Sequence, residues 1–298
     1  MKTKRLIPFL IAWLLPFSAV AAAAPPLRVL ASFSPMHIFT LNVVGDTPGV
    51  SVEMMLPASL GCPHDYALTA SDMRKIAGAD LFIANGMGME TFLDAVVRKA
   101  NPRIRVIETS SSVKPLRAPD EKEHAAHANE GANPHTWVSP KNAILQVRAI
   151  EKALSDASPQ NRETFRANAD AYAARIELLD HEYRDASAKF RKRNIVTFHS
   201  AFDYMAQEYG LSVVGRIEDD LSAARMRALL RTIKEKDVPA VFAAPENKER
   251  IIDIIAREAK IPVVRLDPVA AGPASPTAYE DAMRRNLKNL TEKLSSHE

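Results

Sequence analysis

Pro159 to Lys192 reads PQNRETFRANADAYAARIELLDHEYRDASAKFRK, and the spacing of its apolar residues decides the architecture. Phe165, Ala169, Tyr172, Ile176, Leu179, Tyr183, Ala186 and Phe190 follow one another at alternating intervals of four and three, which keeps them on one face of an α-helix. Ser158 stands as N-cap with Pro159 in the first turn. The pattern predicts a helix over 159–192, roughly 50 Å long at 1.5 Å per residue. A seam of eight positions also suits a self-paired coiled coil. The alanines and aromatic rings along this seam suit packing across two neighbouring lobes better, so we read it as a rigid connecting spine.

On either side of the spine, short apolar runs alternate with amphipathic stretches. Before it, Leu27–Phe33, Val50–Leu56, Asp80–Ala84 and Ile104–Glu108 read as strands, with helical patterns starting near Pro35, Thr69 and Met89. Thr69 and Asp72 sit at capping-box spacing. After it, Asn194–Phe198, Leu211–Gly215, Pro239–Ala244 and Ile261–Leu266 read as strands, with helices over 201–209, 222–236, 247–260 and 276–294. Strands alternating with helices imply parallel sheets covered by helices. The fold class is α/β, with two parallel-sheet lobes: 25–158, the connecting helix 159–192, and 193–298. Arg117 to Ala132 is charged, carries no large apolar residue, and reads as a surface loop.

The composition excludes several classes. With 298 residues, 47% hydrophobic and 25% charged, the chain is long enough for two packed cores and is neither disordered nor collagen-like. A single cysteine, Cys62, rules out an intramolecular disulfide. The pI of about 8.9 comes from the first residues. Lys2, Lys4 and Arg5 precede an apolar run from Leu6 to Val20 and the small residues Ala21 to Ala24, the layout of a secretory signal peptide over 1–24. Three of the 39 basic residues lie there, so 36 remain to balance 36 acidic ones, and no anionic partner such as nucleic acid is implied. No cysteine lies near the cleavage zone for lipid attachment. The expected location is the periplasm, with no direct membrane insertion after cleavage.

Among eight histidines, His181 lies off the spine's apolar stripe and His297 is near the end of the chain, so both read as solvated. His37 follows the first strand and reads as a packed histidine. His64 (in Cys62-Pro63-His64-Asp65-Tyr66), His135 (in Asn133-Pro134-His135-Thr136-Trp137) and His199 (in Phe198-His199-Ser200) stand in polar, aromatic settings. His64 and His199 follow predicted strands, as does Asp267, and ligands of open parallel sheets collect at the carboxyl ends of strands. Three imidazoles and one carboxylate suit a borderline ion such as Zn²⁺ in four-coordinate geometry. Spacing alone is weak evidence here, because none of these residues is close to another in sequence.

The motifs Pro63-His64-Asp65-Tyr66 with Thr69 and Asp72, Asn133 to Pro140, Phe198 to Phe202 and Leu266-Asp267-Pro268 together resemble the zinc/manganese solute-binding proteins of bacterial ABC importers, over essentially the whole chain after residue 24. The resemblance implies two lobes around a metal in the interlobe cleft, little hinge motion, and delivery to an ABC permease in the inner membrane by a monomeric carrier. Carried over, the ligands are His64, His135, His199 and Asp267. The family divides by its third ligand, histidine in zinc carriers and glutamate in manganese carriers. His199 points to zinc, and a third nitrogen also suits zinc better than the harder Mn²⁺. Cys62 is a further candidate ligand as thiolate, against a bystander role in the loop. Glu246 rivals Asp267 but stands where a helix begins after Pro245, the usual place of a capping acid. His124 and His127 resemble a reduced form of the His-rich loop of zinc carriers, against a solvated linker with incidental histidines. Trp137 is expected to wall the site from water.

A manganese or iron carrier is the alternative within the binding class. A surface adhesin is another class, disfavoured by the lack of a lipid-attachable cysteine. A zinc hydrolase needs an open coordination position and a general base. The sequence has no H-E-x-x-H, G-x-S-x-G, G-x-G-x-x-G or P-loop, so no enzyme is expected.

Overall fold

Among the described residues, eight short strands form two four-stranded sheets, and every pairing in them is parallel. The computed structural model describes residues 25–60, 66–90, 96–116, 131–217, 221–245, 250–272 and 275–295. In the first sheet β1 (Leu27–Ala31), β2 (Val50–Met54), β3 (Leu81–Ala84) and β4 (Arg105–Glu108) lie in the order β2-β1-β3-β4. In the second, β5 (Asn194–Phe198), β6 (Ser212–Ile217), β7 (Val241–Ala243) and β8 (Val263–Arg265) repeat it as β6-β5-β7-β8. Each sheet therefore reverses direction of growth once, between β1 and β3 and between β5 and β7. Crevices open at the carboxyl ends of strands beside such a switch.

The helices of the first half are α1 (Ser34–Val44), α2 (Ala70–Gly78), α3 (Arg98–Ala100) and α4 (Pro140–Ala157). Thr69 and Asp72 close the predicted capping box at the start of α2. The sequence reading had assigned nothing to α4, although Ser139 accepts from the Asn142 N–H as its N-cap and Pro140 fills its first position.

The spine helix, α5 (Arg162–Ser187), is shorter than the apolar spacing predicts. Its 26 residues span roughly 39 Å at 1.5 Å per residue. Ser158 does not cap it. Ser158 instead ends α4, with its N–H on the Leu154 carbonyl, and opens a separate 3₁₀ turn over Pro159–Asn161. At the other end Phe190 stays buried on a turn after the helix has stopped. Apolar spacing reports which side chains are buried, and burial continues past the last helical hydrogen bond. Phe165, Ala169, Tyr172, Ile176, Leu179 and Tyr183 are all buried, covered by α1, α4 and α9 (Ala278–Leu294) of the same chain. Among the described residues the apolar stripe of α5 is covered from within the chain.

The remaining helices, α6 (Asp203–Glu208), α7 (Ala223–Glu235) and α8 (Arg250–Ala259), cover the second sheet. The last helix, α9, crosses back to the first lobe. Its Tyr279 ring meets Phe39 of α1 edge-on at 5.1 Å, and Arg175 of α5 pairs with the buried Glu280 at 2.9 Å. Tyr183 donates to the Met283 carbonyl at 2.6 Å. Two helices, not one, thus brace the lobes. Among the described residues no helix is long and apolar enough to cross a membrane.

Ile176 sits fully buried in the middle of this brace. Replacing it with alanine is expected to cost about 2–5 kcal/mol of unfolding free energy, the range for deleting a large aliphatic side chain without collapse of the cavity. Urea denaturation measures it, and a loss under 1 kcal/mol would mean that the brace repacks freely.

Candidate metal centre

Of the candidate ligands among the described residues, His199 and Asp267 follow strands and His135 precedes a 3₁₀ turn, and hydrogen bonds between the lobes tie these loops together. His135 precedes a 3₁₀ turn over Thr136–Val138 and is almost fully buried. Asn133 Oδ1 faces it twice, accepting from its backbone N–H at 3.0 Å and standing 2.9 Å from Nδ1. If Nδ1 carries the proton, coordination falls to Nε2, the tautomer that an outer acceptor commonly fixes in metal-bound histidines. The same Asn133 donates Nδ2 to the Ser200 carbonyl at 2.8 Å, one residue past His199. Two residues past His135, Trp137 donates Nε1 to the Pro268 carbonyl at 2.6 Å, one residue past Asp267. Trp137 is fully buried, with its ring edge-on to Phe33 at 4.9 Å. It ties the two lobes as well as closing the interior.

His199 follows β5 directly and adopts a left-handed φ of 57°, a sparsely populated state for a residue with a Cβ. Its N–H reaches the Ile217 carbonyl, and its own carbonyl accepts from Thr197 Oγ1 at 2.9 Å. Its ring stands edge-on to Phe198 at 4.2 Å and is exposed. Met87 and Val269 share the left-handed backbone, and each lies on a loop after a strand. Asp237 and Lys260, the other two such residues among those described, directly follow or closely follow the ends of α7 and α8. Left-handed residues commonly end helices. At Met87, His199 and Val269 no helix end calls for the conformation.

Asp267 is half-buried and firmly oriented. Its N–H and C=O exchange 2.7 Å bonds with the Asn286 side chain, Oδ1 accepts from the Val269 N–H at 2.7 Å, and Oδ2 accepts from the exposed Arg285 at 3.3 Å. His64, Cys62, Glu246, His124, His127 and His297 lie outside the described residues, as does the segment 1–24. The stretch next to His64 is anchored: Tyr66 donates to Asp72 Oδ2 at 2.8 Å, and Ala58 accepts from the Gly272 N–H at 2.7 Å. That last bond ties the loop after β2 to the Asp267 loop. Among the described residues no three His, Cys, Asp or Glu side chains are grouped closely enough to hold a metal ion. The loops are tied by two side chains, Asn133 and Trp137, and by the backbone bond from Gly272 to Ala58.

His37 is on α1, half-buried, and burial holds its imidazole below its ordinary value. His181 is exposed on α5. The sequence reading missed the layer beneath His135. Asn85, after β3, donates Nδ2 to the Pro134 carbonyl at 2.8 Å, while its Oδ1 accepts from Thr136, Gln146 and Ser110. Glu90 holds the Asn85 turn in place: Oε1 accepts from Ser32 Oγ at 2.7 Å and the Asn85 N–H at 2.8 Å, and Oε2 from the Gly86 N–H at 3.0 Å. Gly86 has φ 83°, and a Cβ there would stand 2.9 Å from Glu108 Cβ, so the turn requires glycine. Asn85-Gly86 after a strand is the turn signal that could have exposed this layer.

Two lobes of parallel sheet, braced by long helices and with loops tied from one lobe to the other, define a bilobal α/β protein. A family model described as "Zinc-uptake complex component A periplasmic" (ZnuA) matches residues 29–293, and the chain belongs to that family. It is similar to the high-affinity zinc uptake system protein ZnuA of Bacillus subtilis strain 168, 30% identical over 90% of this chain and 88% of the relative. Zinc-binding protein AdcA of Streptococcus pyogenes serotype M3 is 29% identical over 96% of this chain. The chain spans about three fifths of the length of that relative, 59%. Among solved structures, FpvC of Pseudomonas aeruginosa in complex with Mn²⁺ matches with a TM-score of 0.76 and 28% identity, over 90% of this chain and 98% of that one.

Burial pushes the Glu90 carboxyl up from 4.5 to about 7, against the pull of its hydrogen bonds from Asn85, Ser32 and Gly86. A folded-state pKa above the unfolded one gives a contribution complete below about pH 4.5 and lost as pH rises through about 7. The stability of the wild type relative to Glu90→Gln should therefore fall by about 2–3 kcal/mol between pH 5 and 8. Urea titrations at several pH values measure this, and a pH-independent difference would remove Glu90 as the cause.

Proposed function

We propose that the chain captures Zn²⁺ between its lobes in the periplasm and hands it to an ABC permease of the inner membrane. One observation carries the reading. The five-residue segment Asn133–Trp137 is hydrogen-bonded at one end beside His199 and at the other beside Asp267, with His135 between them. A segment fixed in this way brings residues from remote stretches of chain to one cleft, as a four-coordinate ion requires. The ligands on this reading are His64, His135, His199 and Asp267. The names of the B. subtilis and S. pyogenes relatives refer to zinc, and a nitrogen-rich set of three imidazoles suits zinc.

Manganese is the alternative cargo, supported by the Mn²⁺ complex of FpvC. A four-ligand protein shell leaves no position for an attacking water, so binding and release, and not hydrolysis, is the chemistry this set supports. The carrier acts as a monomer, since the spine's apolar stripe is spent inside the chain. Residues 1–24 act as the export signal.

The purified protein should retain about one equivalent of Zn²⁺ on dialysis, as elemental analysis measures. His199→Ala should lose more affinity than the roughly 10–100-fold that goes with an outer hydrogen-bond partner. Stoichiometric Mn²⁺ with no zinc, after expression in medium supplying both, would overturn the choice of cargo.

A further inference from the structure

We propose that Asn133 is a positioning residue through which the second lobe sets the orientation and tautomer of His135. The inference rests on His135 being a ligand, as read above, but its central claim concerns the metal-free protein. Asn133 is fully buried, and each of its polar groups is engaged. Its N–H donates to the Leu116 carbonyl at 2.7 Å and its C=O accepts from Tyr204 Oη at 2.9 Å. Its side chain donates Nδ2 to the Ser200 carbonyl at 2.8 Å and Asp203 Oδ2 at 3.2 Å, leaving Oδ1 toward His135.

An amide can be turned by 180° about its last bond with little change of shape, so its environment decides which end is oxygen. Here the second lobe decides, together with the His135 N–H that donates to Oδ1 at 3.0 Å. A carbonyl and a carboxylate can both accept but cannot donate, so the NH₂ must face them and Oδ1 must face His135. An oxygen at that place can only accept, which requires the proton on Nδ1.

Asp203 and Arg216 add a second, independent observation. The carboxylate is buried and accepts from Arg216 at 2.8 Å, yet Asp203 Oδ1 and Arg216 Nε are buried with no hydrogen-bond partner among the described residues. Burying an ion pair with atoms left unsatisfied costs stability. What this one supplies is an acceptor for Asn133 from beneath the His199 loop.

The test compares Asn133→Ala, Asn133→Asp, Asp203→Asn and the double exchange Asn133→Asp/Asp203→Asn. Zinc dissociation constants come from competition with a chromophoric chelator. The His135 tautomer is read from imidazole ¹⁵N shifts in the metal-free protein, a signature that loss of stability alone does not move. Asn133→Ala is expected to weaken zinc binding about 10–100-fold and to give His135 a mixture of tautomers. Asn133→Asp sets two carboxylates against each other and should also weaken binding. The double exchange keeps an acceptor toward His135 and restores a donor–acceptor pair across to residue 203, while giving up the bond to the Ser200 carbonyl. It should bind zinc about tenfold or more tighter than Asn133→Asp.

An unchanged Nδ1–H tautomer in Asn133→Ala, or a folded double variant no better than Asn133→Asp, would overturn the proposal. Should Asn133→Ala not fold, Asp203→Asn and the double exchange decide the matter. A wild type that binds no zinc would sink the zinc reading, while the tautomer of the metal-free protein would still judge this one.

Discussion

Everything near the cleft depends on a five-residue segment that belongs to the first lobe and is hydrogen-bonded to the second. Asn133 reaches the Ser200 carbonyl and Trp137 the Pro268 carbonyl, and Tyr279 of α9 donates to the Trp137 carbonyl at 2.9 Å. From below, Asn85 holds Pro134. These bonds matter because the groups are buried. A donor or acceptor cut off from water costs roughly 1–3 kcal/mol when it loses its partner. The segment therefore has one low-energy placement, and the residues next to its ends are placed with it.

The layer under this segment is polar, which is unusual for a position packed between a sheet and α4. Ser32, Asn85, Glu90, Thr109, Ser110, Thr136 and Gln146 are all buried. Ser32 and Asn85 follow β1 and β3, the strands at the switch of the first sheet. Strand ends there point their last N–H and C=O groups into the crevice, and the loops must satisfy them or expose them. An apolar side chain would leave those groups unpaired. Asparagine and glutamate satisfy several at once, as Glu90 does with Ser32, Asn85 and Gly86. The left-handed Met87 and His199 are part of the same arrangement, since local strain at such loops persists only where the surroundings over-determine it.

How much of this could be read from the sequence follows from the range of each signal. The strands and most helices were legible because their patterns are local: Asn194–Phe198 was bounded to the residue, and Thr69 with Asp72 announced the start of α2. The spine's buried face was legible for the same reason. Its ends were not, because Phe190 is buried on a turn and Ser158 serves two elements at once. The role of α9 as a second brace was also hidden. Its pairs with α5, such as Arg175 with Glu280, join residues 105 apart, and no periodicity encodes such a pairing. In the site, histidines in polar, aromatic settings marked the loops. Asn133 was visible only as a motif letter, because its role comes from Ser200 and Asp203, some 67 and 70 residues away.

The braces and ties constrain how an ion enters and leaves. To swing the lobes apart, the molecule would have to break the bonds from Asn133 to Ser200, Trp137 to Pro268 and Gly272 to Ala58. It would also have to pull Tyr279 from Phe39. At about 0.5–1.5 kcal/mol for each hydrogen bond, and more for the aromatic surface exposed, such opening costs several kcal/mol. The cheaper route is local. His199 is exposed on its loop, and Asp267 is paired with an arginine that is itself mostly exposed. Rearranging these side chains disturbs neither sheet nor brace. On the ligand set proposed above, exchange with solvent falls to the strand-end loops of the second lobe, with His135, buried and held on its Asn133 side, as the fixed point.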